Sequence, residues 1–157
     1  FIMRKLIYLS IIIIVSGCQS EKYSDSEIKD EIIKMTDAYH QTWETVNMDS
    51  VAKFHSDDIR YYWHGFKAAS SNQEFIKVFK EWMSSTAVWK MEVENYDVQV
   101  LAENIAIIGY NTKSTTTILN TGKSYDYGNG ALSYVWRKKN GEWKIIHIHE
   151  SALDKKN

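Results

Sequence analysis

No feature of this chain restricts its fold more than Asn140-Gly141, set between two runs rich in β-branched and aromatic residues, LSYVWRKK before it and EWKIIHIHES after it. Asn and Gly tolerate a positive φ at both central positions of a tight turn, so Leu132 to Ser151 predicts an antiparallel hairpin with a two-residue loop. Uninterrupted pairing outward from that loop sets Lys139 opposite Glu142, Trp136 opposite Ile145, Tyr134 opposite His147 and Leu132 opposite His149. Side chains alternate along strands, so one face carries Leu132, Tyr134, Trp136, Trp143, Ile145, His147, His149 and Ser151. The other carries Ser133, Val135, Arg137, Lys144, Ile146, Ile148 and Glu150. Both faces are substantially apolar, which suits a cavity on one side and a packing surface on the other.

The run VWRKKNGEWKIIHIHES also resembles the closing hairpin of the nuclear transport factor 2-like superfamily, in the pattern shared by SnoaL-like bacterial domains and the calcium/calmodulin-dependent kinase II association domain. The residues that carry it are Val135-Trp136, the basic pair after them, the turn Gly141, Trp143, and then His147, His149 and Ser151. The resemblance implies an α+β cone, a curved antiparallel sheet wrapped around three helices. It implies a pocket inside the cone and a dimer contact on the sheet's outer face. The kinase association domains hold small carboxylates with inward arginines, whereas the matching positions here are Tyr134 and Gly109.

The N-terminus reads as an address. Arg4-Lys5 form a positive region, Leu6 to Val15 an apolar run too short for a comfortable membrane span, and Val15-Ser16-Gly17-Cys18 resembles the lipobox at which bacterial lipoproteins are cleaved and lipidated. Residues 1–17 are expected to be a signal peptide, Cys18 the lipidated residue, 18–25 a tether and 26–153 a single domain. Gln19 after the cysteine suggests outer-membrane retention facing the periplasm in a Gram-negative cell. Cys18 is the only cysteine, so no disulfide is expected and stability rests on packing. The chain carries 19 Lys and Arg against 20 Asp and Glu, and losing Arg4 and Lys5 makes the rest more acidic, which argues against a nucleic-acid partner.

Ser24 and Glu27 have capping-box spacing, and Ile28, Ile32, Met35, Tyr39, Trp43 and Val46 follow as one helical stripe. Asp49 can cap a short second helix through Phe54, with His55 to Asp58 as its polar exit. Ile59 to His64 predict a strand with Tyr62 and His64 on one face and Tyr61 and Trp63 on the other, and Gly65 to Ser70 a loop. Ser71 and Glu74 form a second capping box, before a helix striped by Phe75, Phe79 and Trp82. Three long strands are expected over Ala87 to Leu101, Ile105 to Leu119 and Lys123 to Lys138, followed by the last strand of the hairpin.

These faces assemble one candidate pocket from Tyr39, Tyr62, His64, Trp82, Tyr134, Trp136, His147 and His149, whose rings supply apolar contact and whose polar tips orient a small ligand. The same rings could instead simply fill the cone. Two functions fit. One is a cell-envelope lipoprotein that binds a small apolar or aromatic molecule without a cofactor. The other is a SnoaL-like or ketosteroid-isomerase-like enzyme using general acid–base chemistry, with His64, His147 and Asp126 as candidate titrating groups. An inward Asp or Glu with a raised pKa favours the enzyme; a pocket of Tyr, Trp and His alone favours binding. His147 and His149 have H-x-H spacing, but no third ligand accompanies them and no metal is expected. A homodimer is expected through Val135, Ile146 and Ile148.

Overall fold

The computed structural model describes residues 23–152, so the leader and Cys18 lie outside the described residues. The chain runs α1 (Asp25–Glu44), α2 (Met48–Ala52), β1 (His55–Trp63), β2 (Phe66–Ala69), α3 (Asn72–Ser84), β3 (Thr86–Ala102), β4 (Ile105–Ile118), β5 (Ser124–Lys139) and β6 (Glu142–Ala152). The six strands form one sheet in the order β2-β1-β6-β5-β4-β3. All neighbours are antiparallel except β1 and β6, which run parallel. This is the α+β cone, a curved and unclosed sheet with the helices in its concavity.

Both long helices start where their caps predict. The Ser24 side chain accepts from the Glu27 amide at 3.2 Å and the Glu27 carboxylate accepts from the Ser24 amide at 2.7 Å, so two amides of the first turn are satisfied reciprocally. Ser71 accepts from the Glu74 amide at 3.1 Å, but the Glu74 carboxylate accepts from the Ser70 amide at 2.7 Å and not from that of Ser71, so the second expected capping box is only half formed. α1 buries Ile28, Ile32, Thr36, Tyr39, His40 and Trp43. Met35 is only half-buried, because the stripe passes through Thr36 and His40 as the helix turns against β3 and β4.

The expected loop after β1 is instead an edge strand. Trp63 pairs with Phe66 around His64-Gly65, which hold φ values of +47° and +87°. Two successive positive φ values make the tight hairpin turn that Asn140-Gly141 makes with +54° and +83°, so a histidine takes the place of asparagine.

Bulges bend the sheet. Asn95, at φ +59°, sits where β3 slips against β4, and another slip falls between the pairs Ser114–Gly128 and Thr115–Asp126, where Tyr127 of β5 is the extra residue. The slip that matters most is in β6. Lys139 pairs with Glu142 and Trp136 with Ile145, as expected, but Val135 then pairs with His147, Tyr134 with Ile148 and Leu132 with Glu150. Ile146 is an extra residue on β6, and beyond it every side chain has exchanged faces. The expected pairs Tyr134–His147 and Leu132–His149 do not form. His147 and His149 point out of the cone, while Ile148, only 3% exposed, points in. Ile148 therefore belongs to the core and not to an outer contact surface.

Candidate functional site

The mouth of the cone opens into a cleft of about 680 Å³. α1 contributes Tyr39 and Trp43, α3 contributes Phe75, Phe79 and Trp82, and β3 contributes Trp89 and Met91. Trp43 sits at the centre of the apolar wall, its ring centroid 5.0 Å from Phe79, 5.6 Å from Trp89 and 6.3 Å from Trp82. The opposite wall is built from the sheet, with Tyr61 and Trp63 of β1, Tyr134 and Leu132 of β5, and Ile148 and Glu150 of β6. His64, Thr112, Ser114, Ser151 and the segment Tyr125 to Gly128 also line it.

Of the expected lining residues, Tyr39, His64, Trp82 and Tyr134 face this cleft, and so does Asp126. Tyr62 does not. It lies on the outer face and stacks on His147 at 5.4 Å, because β1 turns Ile59, Tyr61 and Trp63 inward. Trp136 is fully buried beneath the cleft and fills the core. His147 and His149 are outside it for the reason already given. Burial, and then the neighbouring His149, lower the pKa of His147. Among the described residues no group of three or more His, Cys, Asp or Glu could hold a metal.

Glu150 takes the place that register parity had assigned to the histidines. Its Oε2 accepts a hydrogen bond from the Tyr61 hydroxyl at 2.9 Å, and its backbone carbonyl accepts from the His64 amide at 3.2 Å. Burial in an aromatic cavity raises its pKa, opposed by the Tyr61 hydrogen bond and the nearby His64. Among the described residues no lysine or arginine lines the cleft.

Two buried histidines stand behind the wall. The Asn72 amide donates to the Ala52 carbonyl at 3.0 Å, which aims Asn72 Oδ1 at His55 Nδ1, also at 3.0 Å. His55 Nδ1 therefore carries the proton, and Nε2 accepts from the Tyr39 hydroxyl at 2.9 Å. Burial lowers His55 to about 4 and holds it neutral, and it raises Tyr39. His40, also lowered to about 4 by burial, bonds the Tyr110 hydroxyl at 2.7 Å through Nε2. Its Nδ1 lies 3.5 Å from the Tyr96 hydroxyl, which donates to Asp37 at 2.5 Å.

Sequence reasoning missed Tyr61, Glu150, His40 and His55. One signal was present for Tyr61: Arg60 shares a face with Tyr62, and a charged side chain marks the solvent side of a strand. The other three depend on pairings that only the fold creates.

The profile of the SnoaL-like domain matches residues 32–155. The chain belongs to the SnoaL-like family. No curated protein matches this SnoaL-like chain. Solved structures share its fold at low identity. A Xanthomonas campestris protein, provisionally named a calcium/calmodulin-dependent protein kinase II association domain, superposes with a TM-score of 0.70 at 20% identity, covering 85% of this chain and 91% of its own. A Novosphingobium aromaticivorans protein provisionally named a scytalone dehydratase gives 0.74 at 13%, with coverages of 83% and 89%. A nuclear transport factor 2-like superfamily protein of Salmonella enterica serovar Typhimurium gives 0.73 at 19%, with 85% and 96%.

Proposed function

We propose that this SnoaL-like domain is an enzyme that moves a proton on a small, largely aromatic molecule, with Glu150 as general acid–base. The observation that supports it is a carboxyl group turned into an apolar cleft, hydrogen-bonded by Tyr61 and with no lysine or arginine among the described lining residues to hold it ionised. Such a carboxylate takes a proton more readily than a solvated one, and Tyr61 steadies its charged form. In a dehydration, Glu150 would take the proton from carbon, the C–H electrons would form the double bond, and the hydroxyl would leave as water with the proton that Glu150 returns. The provisional dehydratase name of the Novosphingobium relative agrees with this chemistry. His64 also lines the cleft and would act on the leaving or entering proton, a role His147, outside the cleft, does not share.

We also propose that the domain is held at the bacterial envelope by lipid on Cys18 and forms a homodimer. Without Ile148, the outer face still offers Val135 and Ile146, both part-exposed.

The test is proton exchange in deuterated water, followed by NMR, on tetralones and their hydroxylated derivatives. Wild type should accelerate exchange beside the carbonyl, and Glu150→Gln should lower the rate by about a hundredfold or more. Exchange that is absent, or equal in the variant, refutes the catalytic reading, and binding without exchange leaves a carrier.

A further inference from the structure

We infer that the domain stands on its membrane with the Asn140-Gly141 turn toward the bilayer and the mouth of the cleft facing away from it, so that the cleft exchanges with the aqueous compartment. This rests on Cys18 carrying the lipid and is independent of what the cleft binds.

The composition of the mouth by itself favours the reverse. Trp63 and Phe66 pack edge to face at 5.5 Å across the β1–β2 turn, Tyr125 and Tyr127 line the cleft from β5, and all four rings are exposed. Trp and Tyr are the side chains that gather where water meets lipid. The reach of the chain decides against a mouth seated on the bilayer.

The chain enters the domain at the far end from the mouth. Lys138, two residues before the turn, holds its Nζ 4.7 Å from the centre of the Tyr23 ring and 5.5 Å from that of Trp143. The same Nζ donates to Glu31, in the second turn of α1, at 3.1 Å. The start of α1 is therefore fastened beside the turn. Further along the helix, Tyr39 meets Tyr134 edge-on at 5.4 Å, and Trp43 joins the apolar wall of the cleft, so α1 advances from the turn toward the mouth.

Two lengths then compare directly. The five residue steps from Cys18 to Tyr23 span at most about 18 Å when fully extended. The eleven steps of β5 from Lys138 back to Tyr127 cover roughly 36 Å at strand spacing. Curvature shortens that line, but β5 would have to bend through more than half a circle to bring it down to the reach of the tether. With the mouth seated on the bilayer, Cys18 could not reach the lipid. With the turn end down it reaches easily, and the exposed residues Lys139 to Gly141 meet the headgroups.

The test uses the full-length lipoprotein in vesicles of phosphatidylcholine and phosphatidylglycerol. Cys18 is the only cysteine and its sulfur is held by the lipid, so Lys139→Cys and Phe66→Cys each take a thiol-reactive fluorophore at one place. Lipids carrying a nitroxide on the headgroup quench a fluorophore that lies close to the bilayer surface. The label at position 139 should lose most of its emission and the label at position 66 should keep most of its own. Equal quenching, or stronger quenching at 66, overturns the inference and leaves the anchor standing. Protein that does not float with the vesicles removes the anchor, and the inference with it.

Discussion

Val135 pairs with His147, two positions beyond the Ile145 that faces Trp136. That one extra residue in β6 decides which of its side chains enter the cone. Without it the cone would enclose two histidines and expose Glu150. With it the cone encloses Ile148 and Glu150 and turns both histidines to the outer surface.

The first prediction tests this register directly. Ile148→Ala, in the core, should destabilise by about 2–4 kcal/mol, as buried Ile truncations do. His147→Ala, which loses a stack on part-exposed Tyr62, should cost less than about 1 kcal/mol. Urea denaturation of both variants checks it, and equal losses would contradict the bulge.

Glu150 should make its own mark on pH dependence. Its folded pKa is raised above the 4.5 of a free glutamate, so the folded state keeps the proton to higher pH than the unfolded state does. Stability from this group is therefore present below 4.5 and lost as pH rises through the folded pKa. Glu150→Gln should melt above wild type at pH 8, with the gap closing toward pH 4. A variant less stable than wild type at pH 8 contradicts the assignment.

The buried histidines act in the opposite sense. His40 and His55 are lowered from 6.5 to about 4, so the unfolded state binds the extra protons. Their contribution is full above 6.5 and lost as pH falls toward 4, on the order of 3 kcal/mol for each. NMR titration should find both imidazoles neutral at pH 5, and urea midpoints should fall between pH 7 and 4.5. An imidazole at either position titrating near 6.5 would show that it is not sealed from water.

The dimer prediction now excludes Ile148. Light scattering on the domain without its tether should give twice the monomer mass, and Val135→Lys should halve it while the fold persists by circular dichroism. Ile148→Lys, which puts a charge in the core, should instead unfold the chain. A wild-type monomer at micromolar concentration ends the proposal.

Lipidation is tested by palmitate labelling of the full-length chain in a bacterial host, where wild type should take the label and Cys18→Ser should not. A soluble secreted wild-type product would refute the anchor.

The features legible in the sequence are those written within a few residues of themselves. The Asn140-Gly141 turn, the Ser24 and Ser71 caps, the stripes on α1 and α3 and the long strands all follow from local dihedral preference and periodicity, and their order leads to the cone. The His64-Gly65 turn was legible in principle, since only the replacement of asparagine by histidine hid it. The tertiary structure alone decided where the bulge falls. Alternation looks unbroken on both sides of Ile146, and only pairing with β5 shows that one residue has no partner. It also decided that His55 serves Tyr39 across 16 residues and that His40 serves Tyr110 across 70. A hydrogen bond spanning such a distance leaves no periodic trace in the chain, because it exists only once packing has brought the two elements together and removed the water that would otherwise satisfy both groups.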